Sequence, residues 1–513
     1  MIYPIGIQDF GKLRKGGYVY VDKTALIYKL ATTGSYYFLS RPRRFGKSLL
    51  LSTIEAYFSG KKELFAGLAI EKLETKWAKH PILHLDLNTE SYTDMDSLER
   101  RLNKTLLEWE KLYGKGEGET SFALRFEGIV QRACDKTGKS VVILVDEYDK
   151  PMLQTIGNEE LQKEYRNMLK AFYSVLKTQD RYIQFAFLTG VTKFGKVSVF
   201  SDINNLDDIS MDNRFIDICG ITEQEMHNYF EESIHVLAAA NSIGYDEACK
   251  RLKEQYDGYH FRQNCIGIYN PFSLLNTLNK LEFANYWFET GTPSFLVHLL
   301  KKSNYDLENL TKESLTSDLL NSIDSMSYNP VPIIYQSGYL TIKDYNSRFG
   351  NYLLGFPNKE VEDGFYRYLL PFYTPVREEQ GNLFIGNFVE DVEEGLPKEF
   401  MKRMETMFSD SDYRIAGKME LYFQNAMYLI FKMMGFYTDV ERATSRGRID
   451  IVIKARNYIY VMELKLDGSA DDALNQIEEM GYAAPFANDS RPLFRIGVNF
   501  SSKTRCIAEW KVV

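Results

Sequence analysis

Three short strings in this chain bring together residue types that handle phosphate. The first is Gly46-Lys47-Ser48, inside FLSRPRRFGKSLLLSTIEAYF (38–58). A lysine beside free N–H groups at a helix start holds the β- and γ-phosphates of a nucleotide, and the serine hydroxyl reaches Mg2+. The second is Asp146-Glu147 in VVILVDEYDKP (141–151), about a hundred residues further on. Asp146 has the chemistry to orient a Mg2+ shell, and Glu147 to polarise an attacking water. The third lies near the C-terminus: Asp450 in GRIDIVI, then Glu463 and Lys465 in VMELK. Two carboxylates suit a hard cation such as Mg2+, which acidifies a bound water. An ammonium beside them steadies the charge that develops on a phosphodiester.

These side chains need elements to hold them. Tyr36 to Leu39 is a short aromatic and apolar run suited to a buried strand. Leu50, Leu51, Ile54, Tyr57 and Phe58 share one face of a helix. The order strand, loop, Gly-Lys-Ser, helix is the context a phosphate loop requires. The run 141–146 reads as a buried parallel strand, whose C-terminal end is where open α/β sheets bind ligands. A third strand, 182–188, runs into Thr189-Gly190-Val191-Thr192, where Thr189 or Thr192 would sense the γ-phosphate. One position departs from the pattern GxxxxGK[ST]: its first glycine falls on Arg41. Arginine avoids backbone angles that glycine permits. The loop is therefore expected to follow another path, with Arg41, Arg43 or Arg44 lending charge to the phosphates or standing as a solvated basic loop.

Composition sets the frame. The 513 residues exceed one ordinary domain. Hydrophobic residues at 44% and charged residues at 26% describe a globular chain. A net charge of −8 excludes a uniformly basic nucleic-acid coat but leaves room for a local basic groove. Five dispersed cysteines form no CxxC pair, which argues against a zinc ribbon or disulfide framework and fits a reducing compartment. The opening MIYPIGIQDFGKLRKGG lacks a long apolar core, and no apolar run nears the ~20 residues of a membrane helix. The expectation is a cytoplasmic protein with no membrane partner.

YVDKTALIYKL (20–30), the RPRRFGKS loop, ILVDEYDKP, LTGVTKFGKVSVFSDINNLDDIS (188–210), GITEQEM (220–226) and YDGYHF (256–261) together resemble the AAA-ATPase-like family of bacterial proteins. The resemblance runs to about residue 275 and implies an ASCE-type P-loop core with ATP as nucleotide. In that family RPRRFGKS is the usual form of the loop, so Arg41 resembles a family variant. Arg43, Arg44, Phe45, Gly46, Lys47, Ser48, Asp146 and Thr189 are then the expected ATP-binding residues, with Ser48 and Asp146 on Mg2+ and Glu147 catalytic.

From 221 to 325 the pattern turns helical. Thr222 with Glu225 reads as a capping box, and the segment resembles the helical lid that follows such cores. His260 is read as packed or as touching a ligand, and Arg214 as a surface ion pair or an arginine finger. Residues 326–400 give a short apolar segment, a hairpin around 346–350 and a helix from about Glu360. Both a winged-helix-like module and a small α+β connector satisfy that order. The stretch 373–413 is charged and turn-rich, with a domain junction expected near 395–412.

Residues 410–513 read as α-β-β-β-α-β. The helix spans 418–434, the strands 436–443, 449–455, 458–466 and 493–500, and the second helix 470–482. Alternation puts Glu463 and Lys465 on one strand face, and a tight turn brings Asp450 towards Glu463. GRIDIVI, a hairpin and VMELK resemble the PD-(D/E)xK nuclease superfamily, with Ile449 where a proline often stands. The resemblance adds Glu420 as an acidic residue near the metal and Gln476 as the glutamine of the following helix. The catalytic set expected there is Asp450, Glu463, Lys465 and Gln476, with Glu420, Asp450 and Glu463 on Mg2+.

The whole is expected to be an α/β chain: a P-loop ATPase core over 1–220, a helical lid over 221–325, a connector over 326–400, and a restriction-endonuclease-like domain over 410–513. It would bind ATP and Mg2+ and cut DNA under nucleotide control. The competing reading is a nucleotide switch whose C-terminal fold binds nucleic acid or a partner without cutting. AAA-related cores often assemble, so a homo-oligomer is an open expectation.

Overall fold

A computed structural model describes residues 1–193, 205–289, 294–320, 329–377, 380–409, 419–435, 437–445, 448–504 and 506–513. For residues 289, 294–295, 298, 382, 419–420, 441–445 and 448–450 it describes the backbone alone. The chain divides into two compact units, Met1–Thr290 with Thr311–Val361, and Gly291–Leu310 with Glu362–Val513.

The first unit is built on a parallel sheet of β1 (Tyr36–Ser40), β2 (Ile82–Asp86), β3 (Val141–Asp146), β4 (Ile183–Gly190) and β5 (Asp207–Asp208). Their order is β2-β3-β4-β1-β5, and every pairing is parallel. β3 is buried along its whole length, which its unbroken Val-Val-Ile-Leu-Val run foretells. β2 has one half-buried side: only Leu83 and Leu85 are fully covered, so its apolar signal alternates and is weak in sequence. Because β4 lies between β1 and β3, the register brings Ser40, Thr189 and Asp146 to one edge of the sheet.

Helices Glu223–Ala240, Tyr245–Tyr256 and Pro271–Lys280 follow. Met226, Phe230, Ile234 and Leu237 of the first pack with Leu252 and Leu274 of the others. The expected capping box is present: Thr222 Oγ1 accepts from the Glu225 N–H, and the Glu225 carboxylate from the Thr222 N–H. The antiparallel hairpin expected near 346–350 is formed by Thr341–Asn346 and Asn351–Gly355, and Ser314–Thr316 adds a third strand. The apolar segment before it is a short helix, Val331–Gln336.

In the second unit, the stretch expected to be turn-rich instead holds helices Gly381–Glu393 and Pro397–Ser409. Ile385, Phe388 and Val392, then Phe400, Met401, Met404 and Phe408, are buried at helical spacing. Charges such as Glu390, Glu393, Lys402 and Glu405 occupy the intervening positions, so charge density masked an amphipathic pattern. Helix Met419–Met434 follows, then a mixed sheet. Its strands are β11 (Asp439–Ser445), β12 (Arg448–Lys454), β13 (Ile459–Leu466), β14 (Leu493–Ser501) and β15 (Cys506–Val512), in that spatial order. (The short strands between are β6 (Ile221–Thr222), β7 (Ile268–Tyr269), β8 (Ser314–Thr316), β9 (Thr341–Asn346) and β10 (Asn351–Gly355).) β13 and β14 are parallel and joined through helix Ala470–Glu479, and the other neighbours are antiparallel. The closing strand β15 was not expected. It is an edge strand with little buried surface, and its Glu509 and Lys511 hide the alternation. Among the described residues no helix is long and apolar enough to cross a membrane.

Candidate functional site

The Arg41–Gly46 loop leaves β1 and delivers the chain into helix Lys47–Phe58. Gly46, at the N-cap, has φ +92°, and a Cβ there would meet nothing within 4 Å. The glycine serves backbone conformation, not space. It provides no side-chain cap, so the first N–H groups of a twelve-residue helix have no capping side chain. Phe45 is buried against Tyr259, with ring centroids 4.8 Å apart, and against Phe261. The YDGYHF stretch thus forms the floor on which the loop rests.

Arg41 does not reach out as its charge suggested. It is 1% exposed and lies beneath the loop. Its guanidinium donates to the carbonyls of Ser40, Ser210 and Ile216 and stacks 3.9 Å above the Phe261 ring. Burial lowers its pKa. Arg44 has φ +67°, and its guanidinium sits over Phe272. The Arg43 carbonyl accepts from Trp287 Nε1, while the residue itself is exposed. Of the three arginines only Arg41 is buried; Arg43 and Arg44 are both exposed, Arg44 with its guanidinium against Phe272.

Lys47 is 4% exposed and curls back on the loop, donating to the carbonyls of Arg41 and Pro42 at 3.1 and 3.3 Å. Its Nζ also lies 3.2 Å from Glu147 Oε1. Ser48 Oγ donates to Asp146 Oδ2 at 2.6 Å, and Thr189 Oγ1 donates to Asp146 Oδ1 at 2.7 Å. Lys47, Ser48, Asp146, Glu147 and Thr189 therefore meet at the C-terminal edge of the sheet. Glu147 has φ +52°, a conformation non-glycine residues seldom hold outside over-determined sites. Thr192 is turned away from this cluster and bound to Asp149 at 2.5 Å. Asp149 is fully buried; burial first, and the charge of Glu147 second, raise its carboxyl from 3.8 to about 6.

Beside Gly46 opens an apolar cavity of about 100 Å3 lined by Val19, Tyr20, Phe45, Leu49, Ile218 and Pro271 among others. His260 is half-buried; its N–H donates to Thr341 Oγ1, and its carbonyl accepts the Thr341 hydroxyl. Arg214 forms an exposed ion pair with Asp212 at 2.5 Å. His260 takes the packed reading and Arg214 that of a surface ion pair.

In the C-terminal sheet, the register sets Asp450 directly opposite Glu463. Directly opposed positions of an antiparallel pair lie on the same face. Glu463 is fully buried, and Lys465 Nζ lies 3.4 Å from its Oε1. Lys465 also donates to the Oε1 of Gln476, which helix Ala470–Glu479 holds over the sheet. Glu420 stands in the first turn of helix Met419–Met434. The side chains of Glu420 and Asp450, and residue Gly447 of the GRIDIVI string, lie outside the described part of the structure. Among the described residues, no group of three or more His, Cys, Asp or Glu is placed to hold a metal. The donors that are described fit Mg2+ in kind. Ser48 and Asp146 present adjacent hard oxygens, and Glu463 presents a buried carboxylate tied to an ammonium.

Residues 4–200 match the family described as predicted AAA-ATPase, AAA-ATPase-like, and residues 418–510 match the PD-(D/E)XK nuclease superfamily. The chain is 36% identical over 521 residues to a protein of Azotobacter chroococcum mcd 1 named "Uncharacterized protein in vnfD 5'region". The alignment covers 99% of this chain and 98% of that one. The chain carries an N-terminal AAA-ATPase-like domain and a C-terminal PD-(D/E)XK nuclease superfamily domain, and it belongs to one family with that Azotobacter protein.

Two residues of this AAA-ATPase-like protein escaped the sequence reading. Gly497 on β14 pairs with Glu463. A Cβ at Gly497 would lie 2.3 Å from the Ala470 carbonyl oxygen. Only glycine lets the helix bearing Gln476 settle on the sheet next to Glu463 and Lys465. A glycine inside an otherwise apolar strand was the available signal. The other is Asp149, whose signal was an acid three residues beyond Asp146 where the next helix begins.

Proposed function

We propose that the chain binds and hydrolyses ATP at its N-terminal site and cuts DNA at its C-terminal site, with nucleotide state governing the cut. What carries this reading is the hydrogen-bonded set Ser48–Asp146–Thr189, with Lys47 against Glu147. Five motif residues from three separated stretches of the chain converge beside uncapped helix N–H groups, an arrangement suited to a triphosphate. The apolar cavity beside Gly46 has the position and lining to take the adenine.

Within this reading, Lys47 exchanges its carbonyl contacts and Glu147 for the β- and γ-phosphate oxygens. That exchange leaves Glu147 free to orient and deprotonate the attacking water. Ser48 and Asp146 hold Mg2+, and Thr189 keeps Asp146 turned towards it while sensing the γ-phosphate. Phe45 and Gly46 contribute through the backbone of the loop, and Arg43 and Arg44 add positive charge at its mouth. In the C-terminal domain Asp450, Glu463 and Glu420 hold Mg2+. Lys465, aligned by Gln476, orients the nucleophilic water and steadies charge on the phosphate. Bound Mg2+ would supply charge neutralisation at both sites and, at the C-terminal one, an acidified water. A cytoplasmic location, argued from the dispersed cysteines, and assembly into homo-oligomers, argued from the resemblance to AAA-related cores, belong to the same proposal.

The test is cleavage of plasmid and single-stranded DNA by the purified chain with Mg2+ or Mn2+, with and without ATP, beside Glu463→Ala and Lys47→Ala. Cleavage lost in Glu463→Ala, and altered by ATP only when Lys47 is present, is the expected result. ATP binding without cleavage under any condition would favour the switch, in which the C-terminal fold binds but does not cut.

A further inference from the structure

Asp149 is a buried carboxylate that the chemistry above does not use. It accepts four hydrogen bonds from one short segment. The Val191 N–H is 3.2 and 3.1 Å from its two oxygens, and the Thr192 N–H and Thr192 Oγ1 lie 2.6 and 2.5 Å from Oδ2. Tyr148 reinforces the contact. Its N–H donates to the Thr189 carbonyl at 3.0 Å and its hydroxyl to the Thr192 carbonyl at 2.8 Å. Gly190 completes the fit, since a Cβ there would lie 2.5 Å from Asp149 Oδ1 and 2.6 Å from the Tyr148 ring.

The turn 146–149 and the turn 189–192 are thus clasped at both ends. Thr189 binds Asp146 at one end, and Thr192 binds Asp149 at the other. Glu147 sits between the two fastenings in its left-handed conformation. A residue there relaxes unless its flanks are fixed. A buried carboxylate is a costly way to fill space, and a nonpolar side chain would pack the same junction at lower cost. Its investment in donors from a single turn marks it as a device for registering that turn.

We propose that Asp149 is a positioning residue for turnover: through Thr192 it locks the turn bearing Glu147 against the end of β4, so that Glu147 faces the terminal phosphate. The inference rests on the reading of this site as an ATPase. It assigns Asp149 and Thr192 to hydrolysis and not to nucleotide affinity.

The experiment uses the full chain and steady-state ATP turnover. It compares wild type, Lys47→Ala, Thr192→Val, Thr192→Ser, Asp149→Asn, Glu147→Gln and the double variant Glu147→Gln/Thr192→Val. Thr192→Val removes one hydroxyl and nearly conserves shape. It is expected to lower kcat about tenfold or more while KM for ATP stays within about twofold, because misplacing a catalytic group acts on the reacting geometry. Thr192→Ser restores most of the rate. In the Glu147→Gln background Thr192→Val costs nothing further, since it acts through Glu147. Asp149→Asn follows Thr192→Val in direction. Preserved KM shows that the site is folded in each variant. Thr192→Val with wild-type kcat overturns the proposal, as does a loss of kcat matched by equal losses of ATP affinity and Tm. If wild type and Lys47→Ala turn ATP over at the same rate, the ATPase reading itself fails and the inference falls with it. If Lys47→Ala is inactive and Thr192→Val keeps the wild-type kcat, Asp149 alone has been misassigned.

Discussion

Ser48 and Asp146 are 98 residues apart in the chain and share a hydrogen bond of 2.6 Å across the mouth of the parallel sheet. Asp146 ends β3 and Ser48 opens the helix that follows the loop after β1, while Thr189, near the end of the intervening β4, is the second donor to the same carboxylate. Lys47 completes this edge but is held by two loop carbonyls and Glu147. Replacing Lys47 by alanine removes that charge and leaves the Ser48–Asp146 pair intact. ATP affinity should fall about 10- to 100-fold, the worth of charge-assisted hydrogen bonds to phosphate. Fluorescent-nucleotide titration reads this directly, and unchanged affinity would remove Lys47 from the site.

Glu147→Gln separates binding from chemistry. The amide keeps the shape but not the base, so ATP should bind within a few-fold of wild type while turnover drops about 100-fold or more. Single-turnover assays with Mg2+ distinguish the two steps. Equal turnover in the variant would make Glu147 only the resting partner of Lys47.

Much of this site was readable because its signals are local. The β3 strand announces itself as an unbroken apolar run ending in Asp146-Glu147, and the Thr222–Glu225 capping box follows from two residue types at a fixed spacing. The same holds for the Glu463–Lys465 pair, where strand alternation alone predicts a shared face. What stayed hidden depends on tertiary neighbours. Arg41 reads as a charge for solvent or phosphate, yet the carbonyls that engage it belong to residues 210 and 216. The helices at 381–409 were obscured by charge, and the edge strand 506–512 has too little buried surface to leave a clear pattern. Asp149 looks like an ordinary acid at a helix start until the 189–192 turn is seen against it.

The Lys465–Glu463–Gln476 arrangement makes a prediction for the C-terminal domain. Lys465→Met removes the ammonium that lies 3.4 Å from Glu463 and bonds Gln476. DNA cleavage should fall about 100- to 1,000-fold, in line with losing one preorganised charge, while DNA binding persists. Gel-shift and cleavage assays on one preparation read both quantities. Cleavage at the wild-type rate would leave Lys465 a structural partner of Glu463.

Gly497→Ala tests the support beneath that site. The new methyl meets a backbone carbonyl at 2.3 Å, so helix Ala470–Glu479 has to move away from β14. Overpacking of this kind costs about 1–3 kcal/mol. Because Gln476 rides on the same helix, cleavage should fall although no site side chain is altered. Tm and cleavage measured together should both decline, and an unaffected cleavage rate would show that the Gln476 contact is dispensable.

The carboxyl of Asp149 sets a pH dependence in which stability and turnover oppose each other. Burial and the neighbouring Glu147 raise it from 3.8 to about 6. The folded state therefore holds this proton more tightly than the unfolded chain does. The group's contribution to stability is full below about pH 3.8, declines as pH rises, and is lost above about 6. The clasp has the opposite requirement. Only the ionised carboxylate accepts from both N–H groups and the Thr192 hydroxyl, since a protonated oxygen would face donors with a donor of its own. ATP turnover should therefore rise through an acid limb near pH 6 as this part of the stability declines. Asp149→Asn should flatten that limb at a low rate and lessen the fall in Tm between pH 4 and 6. Measuring kcat and Tm across that range in both proteins decides the matter: an acid limb that survives unchanged in the variant would belong to another group.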